Sequence, residues 1–244
     1  MVPEQGAGMN MELSTTMGEL VMARPETIRY FEQLGLDYCC GGHRSLAEAC
    51  QIAHQDPTTV MAGLATLEPP TAGVPSLRDW SQASLSDLIQ HIIATHHDYL
   101  REELPRLELL LGKVLRAHGE RHPRLQRVEE IYQALVADLM PHLMKEEQIL
   151  FPFIRQMEQG QSGSACFGTV QSPIRVMEME HVAVGALLAE LRKSCDAYVT
   201  PEDGCATFRA LNDGLEALER DLHLHIYMEN QILHPRATAM EAGA

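Results

Sequence analysis

Two stretches of this 244-residue chain carry the same pattern of histidine and carboxylate. Residues 142–152 read HLMKEEQILFP and residues 225–235 read HIYMENQILHP, so His142 coincides with His225, Glu146 with Glu229, Gln148 with Gln231 and Pro152 with Pro235. A solitary histidine precedes each copy at nearly the same distance, His97 by 45 residues and His181 by 44. Such internal self-similarity marks a duplicated structural unit. Residues i and i+4 leave one helix face on adjacent turns and can reach a common point. Four histidines and two glutamates in that symmetry therefore point to a two-metal site between duplicated helix pairs.

The elements that must position these residues are helices. Leu135, Leu139, His142, Glu146 and Ile149 follow steps of four and three, and Leu218, Leu222, His225, Glu229 and Ile232 repeat them. Ile174, Met177, His181, Val184, Leu188 and Leu191 form a third stripe with its histidine in the middle. These stripes place glutamates on buried faces, where an uncompensated carboxylate costs several kcal/mol, and a cation between imidazoles and carboxylates supplies the compensation. In the first helix the periodicity does not choose a ligand. Leu85, Ile89 and Ile92 lead to His96, whereas Ile93 leads through His97 to Leu100, Leu104 and Leu107.

The four helices are expected near 82–117, 124–151, 173–198 and 206–233, with Pro152 and Pro235 just beyond two of the ends. HGERH at 118–122 is short enough to make the first two antiparallel, while the Gly/Ser-bearing stretch 156–171 joins the halves. An all-α, up-down-up-down four-helix bundle is the result, with its ligands directed inward. Pro141, directly before His142, predicts a bend or an offset in the second helix. Residues 1–75 read as a small helical domain with stretches around 15–35 and 45–67, closed by the linker EPPTAGVPS, and residues 76–244 as the bundle.

Composition narrows the function classes. A net charge of −15 lacks the basic footprint of a nucleic-acid binder or an anionic-membrane binder, and its acidic residues are dispersed over the chain. No stretch has the apolar length of a membrane span and the first residues do not resemble a signal peptide, so a cytoplasmic protein is expected. Six scattered cysteines do not form a secreted disulfide framework, and free thiols are expected. Imidazole and carboxylate without cysteine suit iron, manganese or zinc, and there is no HExxH. Two bridging carboxylates with two histidines per metal leave positions for an oxo bridge and a small diatomic ligand. Non-haem di-iron is the best chemical fit.

Cys39 and Cys40 are a second chemical feature. They lie before the Gly41-Gly42 turn and a helix expected from Ser45, so a helix N-terminus and His43 are expected to lower a thiol pKa. Adjacent cysteines seldom close a comfortable disulfide, which favours metal handling, persulfide or nitrosothiol exchange, or redox sensing over a staple, with simple packing as the bland alternative. Cys50, Cys166, Cys195 and Cys205 read as packing or loop thiols.

The HxxxE repeats, with KEEQILFP after the first, resemble hemerythrin-like di-iron bundles. Together with YCCGG at Tyr38 to Gly42, the chain from Met17 to Pro235 resembles the repair-of-iron-centres family of iron–sulfur cluster repair di-iron proteins. That resemblance implies His97, His142, Glu146, His181, His225 and Glu229 as ligands of two iron ions, selects His97 over His96, and makes both glutamates bridges. It places Asp138 and Glu180 near the site as supporting or proton-relay residues, with solvated helix acids as the alternative. His234 stands where the family commonly has an aromatic residue.

Three functions stay open on these grounds. The resemblance implies repair of iron–sulfur clusters damaged by nitric oxide or oxidants, with damaged iron–sulfur proteins as partners. The others are capture of nitric oxide or dioxygen to buffer a regulator, and enzymatic reduction of nitric oxide. The vicinal thiols favour repair over simple capture. A homodimer is compatible with all three.

Overall fold

In the computed structural model, which describes residues 11–68, 77–161 and 168–243, the elements are helices. The β-type pairing among the described residues is an isolated bridge between Thr16 and Ser45. The chain divides into two compact units between Ala83 and Ser84. Except for Glu68, the expected linker at 68–76 lies outside the described residues, as does Cys166.

The first unit contains α1 (Met17–Ala23), α2 (Thr27–Leu34), α3 (Leu46–Ile52), α4 (Pro57–Thr66) and α5 (Leu77–Gln82). Sequence chemistry starts and stops them. Thr16 with Glu19 and Ser45 with Glu48 form capping boxes for α1 and α3, and Asp56 caps α4 ahead of Pro57. Gly35 ends α2 at φ 66°, a left-handed conformation that suits glycine. Met17, Leu20, Phe31, Leu46 and Leu64 are fully buried and form the core of this unit. The α5 helix packs against α1, beyond the Pro/Gly-rich break read at residue 75.

The second unit is an up-down-up-down bundle of four rods. The first rod is α6 (Leu85–Ile92), a π-helical turn (Ile93–His97) and α7 (Asp98–His118). The second is α8 (Arg124–Lys145), a π turn (Glu146–Leu150) and α9 (Phe151–Glu158). The third is α10 (Gln171–Ser194), and the fourth is α11 (Ala206–Met228), a π turn (Glu229–Leu233) and α12 (His234–Ala242). The α7 helix packs on α11, α8 on α10 and α6 on α9. Gly214 permits the approach of α11 to α7, since a Cβ there would lie 2.6 Å from Leu107 Cδ2. Leu104, Leu107, Leu135, Leu188 and Leu215 fill the interior.

Two expectations are corrected here. The second and fourth rods do not end before Pro152 and Pro235 but continue to Glu158 and Ala242. In both, the residue before the proline bonds its N–H five residues back, Phe151 to Glu146 and His234 to Glu229. The proline then enters at the start of a new α-helical segment, where its fixed φ fits and its missing N–H costs little. The extra residue in the π turn also rotates the remainder of the rod. Ile149, expected on the buried stripe, is 47% exposed while Leu150 is buried. Pro141 lies inside α8, which continues through it to Lys145, and the change of winding comes at Glu146.

Candidate metal centre

Each π turn sits at an expected ligand. Glu146 and Glu229 open theirs and His97 closes its own. A π turn carries one residue more than an α turn and recurs at functional sites. In the first rod this accounts for the rival histidines. The α stripe 85–89–92 steps on to 96, whereas the wider turn advances by five, from Ile92 to His97, before the stripe resumes at Leu100.

His97, Glu146, His225 and Glu229 form one group of close, buried donor atoms, and His142, Glu146, His181 and Glu229 form another. In the first, His97 Nε2 and His225 Nε2 are 3.2 Å apart, with Glu146 Oε2 at 3.5 Å from His97 and Glu229 Oε1 at 3.2 Å from His225. In the second, His142 Nε2 and His181 Nε2 are 3.1 Å apart, with Glu146 Oε1 at 3.1 Å from His142 and Glu229 Oε2 at 3.1 Å from His181. Each glutamate thus divides its two oxygens between two imidazole pairs, and each pair takes one histidine from either half of the repeat. Two nitrogens bound at right angles to one ion with bonds of about 2.1 Å lie roughly 3.0 Å apart, so these separations fit metal ligation.

The unsatisfied polar atoms support the same reading. All four oxygens of Glu146 and Glu229 are buried without a hydrogen-bond partner among the described residues. Burial pushes His142 down, but Glu146, Glu229 and Glu180 together outweigh it and lift this imidazole to about 9. At His225 burial prevails and holds the ring at about 4. Cations shared between the carboxylates remove the cost of burying them.

Outer partners fix the rings. His97 Nδ1 donates to Glu147 Oε1 at 2.6 Å, and Arg101 also binds that carboxylate. His142 Nδ1 donates to Glu180 Oε2 at 2.8 Å, and Lys145 holds Glu180 from the other side. His181 Nδ1 lies 2.9 Å from Asn230 Oδ1, whereas His225 Nδ1 has no hydrogen-bond partner among the described residues. Such contacts set ring orientation and ligand basicity. Glu147 and Asn230 were missed from the sequence, although the repeat holds the clue: each stands directly after a proposed bridging glutamate and supports the solitary histidine of its own half.

Of the two acids expected near the site, the structure brings Glu180 to His142 and leaves Asp138 exposed on α8. His96 is 1% exposed but stands outside both groups, its Nδ1 2.8 Å from Asp221 Oδ1 and its ring stacked on His225 at 5.3 Å. His234 stacks on His181 at 6.1 Å, as Phe151 stacks on His97 at 5.7 Å in the first copy. Both ring nitrogens of His234 are buried without a hydrogen bond among the described residues, and burial pushes its pKa down to about 3.

In the first unit the sulfurs of Cys39 and Cys40 lie 3.9 Å apart without a disulfide between them, and both backbone N–H groups donate to Asp37 Oδ1. The expected lowering of a thiol pKa does not hold at Cys39. The hydrogen bond to Cys40 and burial push it well above the usual thiol range. Asp37, Cys39 and Cys40 together form a group of close donor atoms.

The model of the hemerythrin HHE cation binding domain matches residues 88–237, and that of a domain of unknown function, DUF542, matches residues 13–68. The second unit is a hemerythrin-type cation-binding bundle. The iron–sulfur cluster repair protein YtfE of Enterobacter sp. (strain 638) is 39% identical over 225 residues, 92% of this chain and 97% of that protein. The same protein from Escherichia coli O81 (strain ED1a) is 39% identical over the same shares, and that from Escherichia fergusonii is 38% identical. The chain belongs to the YtfE family.

Proposed function

We propose that this protein repairs iron–sulfur clusters damaged by nitric oxide or oxidants, working from two non-haem iron ions held by His97, His142, His181, His225, Glu146 and Glu229. The observation that carries this reading is the division of both glutamates between two buried imidazole pairs, in a chain that aligns with YtfE proteins over 92% of its length. Iron in that donor set would supply a position for a small diatomic ligand and a store of metal for a damaged client.

The chain's own groups do the rest. Glu146 and Glu229 would each hold both ions, since each presents one oxygen to either imidazole pair. Glu147 and Glu180 keep His97 and His142 turned with Nε2 inward, and Arg101 and Lys145 anchor those two carboxylates. Burial of all six ligands excludes bulk water. Cys39 and Cys40 would bind iron as thiolates during its exchange with the client, each releasing its thiol proton as the iron–sulfur bond forms.

The test is anaerobic incubation of protein loaded with 57Fe with a nitrosylated [4Fe–4S] dehydratase. Client activity should return with 57Fe in its cluster. A client that stays inactive overturns repair; recovery without 57Fe transfer shows that the iron is retained.

A further inference from the structure

A second group of donor side chains lies at the far end of α7, 21 residues from His97 and so about 30 Å away along a helix. His118 closes α7, and the N–H of His122 bonds back to its carbonyl at 2.8 Å, which sets the two imidazoles one turn apart. Asp203 and Cys205 reach them from the loop before α11. His122 Nε2 lies 3.0 Å from Asp203 Oδ1, and His118 Nε2 lies 3.3 Å from Cys205 Sγ. A ring nitrogen of each histidine and an Asp203 oxygen all fall within 4.8 Å of one another; exposed Cys205 stands outside that spacing, against His118, and its side chain would turn inward to complete the set. Buried Phe208 packs against both rings, at 5.4 Å from His118 and 5.7 Å from His122.

We propose that His118, His122, Asp203 and Cys205 form a second metal site, separate from the iron centre, for a single divalent cation of the zinc class. Two imidazoles, one carboxylate and one thiolate are a complete tetrahedral zinc set, and each donor type belongs to zinc chemistry. Cys205 is exposed at the start of α11, with its Sγ already against His118 Nε2. The positive charge now beside these donors is Arg121, whose guanidinium lies 2.7 Å from Asp203 Oδ2 and 3.1 Å from His118 Nδ1. Its side chain is 58% exposed and can turn out to water when the cation arrives. The bound ion would tie the first turn of the bundle to the loop entering its last helix.

Cobalt(II), added to the iron-loaded full-length Cys39→Ser/Cys40→Ser variant as parent, reports this site because the iron centre contains no sulfur ligand and the thiol pair beside Asp37 has been removed. The expected result is one Co2+ per chain, with tetrahedral ligand-field bands, a thiolate-to-cobalt absorption in the near ultraviolet, and unchanged iron content. His122→Ala should abolish both features. Cys205→Ser should remove only the thiolate band. Arg121→Ala should bind Co2+ at least as tightly as the parent, which also covers the case in which His122→Ala does not fold. Absence of a thiolate band in the parent overturns the proposal, as does its persistence in Cys205→Ser. So does loss of Co2+ binding in Arg121→Ala, since that would make the cluster an arginine clamp.

Discussion

His234→Phe should stabilise the bundle. The wild-type ring is 1% exposed, its two nitrogens have no hydrogen-bond partner among the described residues, and its nearest carboxylate oxygen, Glu178 Oε1, is 3.9 Å away. A buried polar group left unpaired costs about 1–3 kcal/mol, and phenylalanine removes that cost while keeping the flat ring. The first copy of the repeat already shows the arrangement, with Phe151 stacked on His97. His234 also lines a surface pocket of about 280 Å³ with Ile174, Arg175 and Glu178, which leaves room for the larger ring. In a unit of this size each kcal/mol moves the melting midpoint by about 2–4 °C, so a rise of roughly 2–12 °C is expected. Thermal unfolding followed by far-ultraviolet circular dichroism at neutral pH, on metal-stripped protein, measures it, and iron per chain before stripping should stay at two. An unchanged or lower midpoint would refute the reasoning by showing that the nitrogens of His234 are satisfied in solution. A fall in iron content would show that the ring supports His181 in a way phenylalanine cannot.

Other perturbations separate the roles of individual groups. Glu146→Ala or Glu229→Ala should lower iron per chain towards zero, whereas His181→Ala should remove about one, because a bridge serves two shells; elemental analysis showing the same single loss in all three would dismiss bridging. Glu158 accepts N–H bonds from Leu85 at 2.6 Å and Ser86 at 2.9 Å, and although burial pushes its pKa up, these bonds and the Ser86 hydroxyl hold the carboxyl below its usual range. Its contribution is therefore present above the unfolded carboxylate pKa and lost as pH falls through the lowered folded value. Glu158→Gln should cost about 1–3 kcal/mol in urea unfolding at pH 7, and a gap from wild type that persists at the acid end would reject this assignment. Cys40, half-exposed, should react with iodoacetamide before buried Cys39, and Cys39→Ser with Cys40→Ser should keep two irons yet slow client repair; wild-type repair by the double variant would return both thiols to a packing role.

What was legible in the sequence is what local geometry repeats. His142 with Glu146 and His225 with Glu229 each span one turn at the end of a regular α-helix, so their four-residue spacing survives in the linear chain. The π turns, at Ile93–His97 and at the two glutamates, were not legible. A single extra residue leaves no compositional mark, and its effects present themselves in the sequence as a choice between His96 and His97, as helix ends at Pro152 and Pro235, and as a buried Ile149. The cluster of His118, His122, Asp203 and Cys205 was hidden for another reason. HGERH reads only as a short connection, and its partners arrive from 81 and 87 residues away.

The departures from exact repetition say more about the site than the repetition does. Glu180 stands one residue before His181 and supports His142 of the other half. Its counterpart, one residue before His97, is His96, which meets His225 of the other half but stacks on it and bonds Asp221 instead. Likewise Glu147 gives His97 a carboxylate where Asn230 gives His181 a neutral amide. The pairs His97/His225 and His142/His181 therefore each contain one imidazole backed by a carboxylate and one that is not. A carboxylate on Nδ1 strengthens an imidazole as a ligand, so the substitutions that broke the symmetry of the sequence left the two proposed metal positions alike in donor strength.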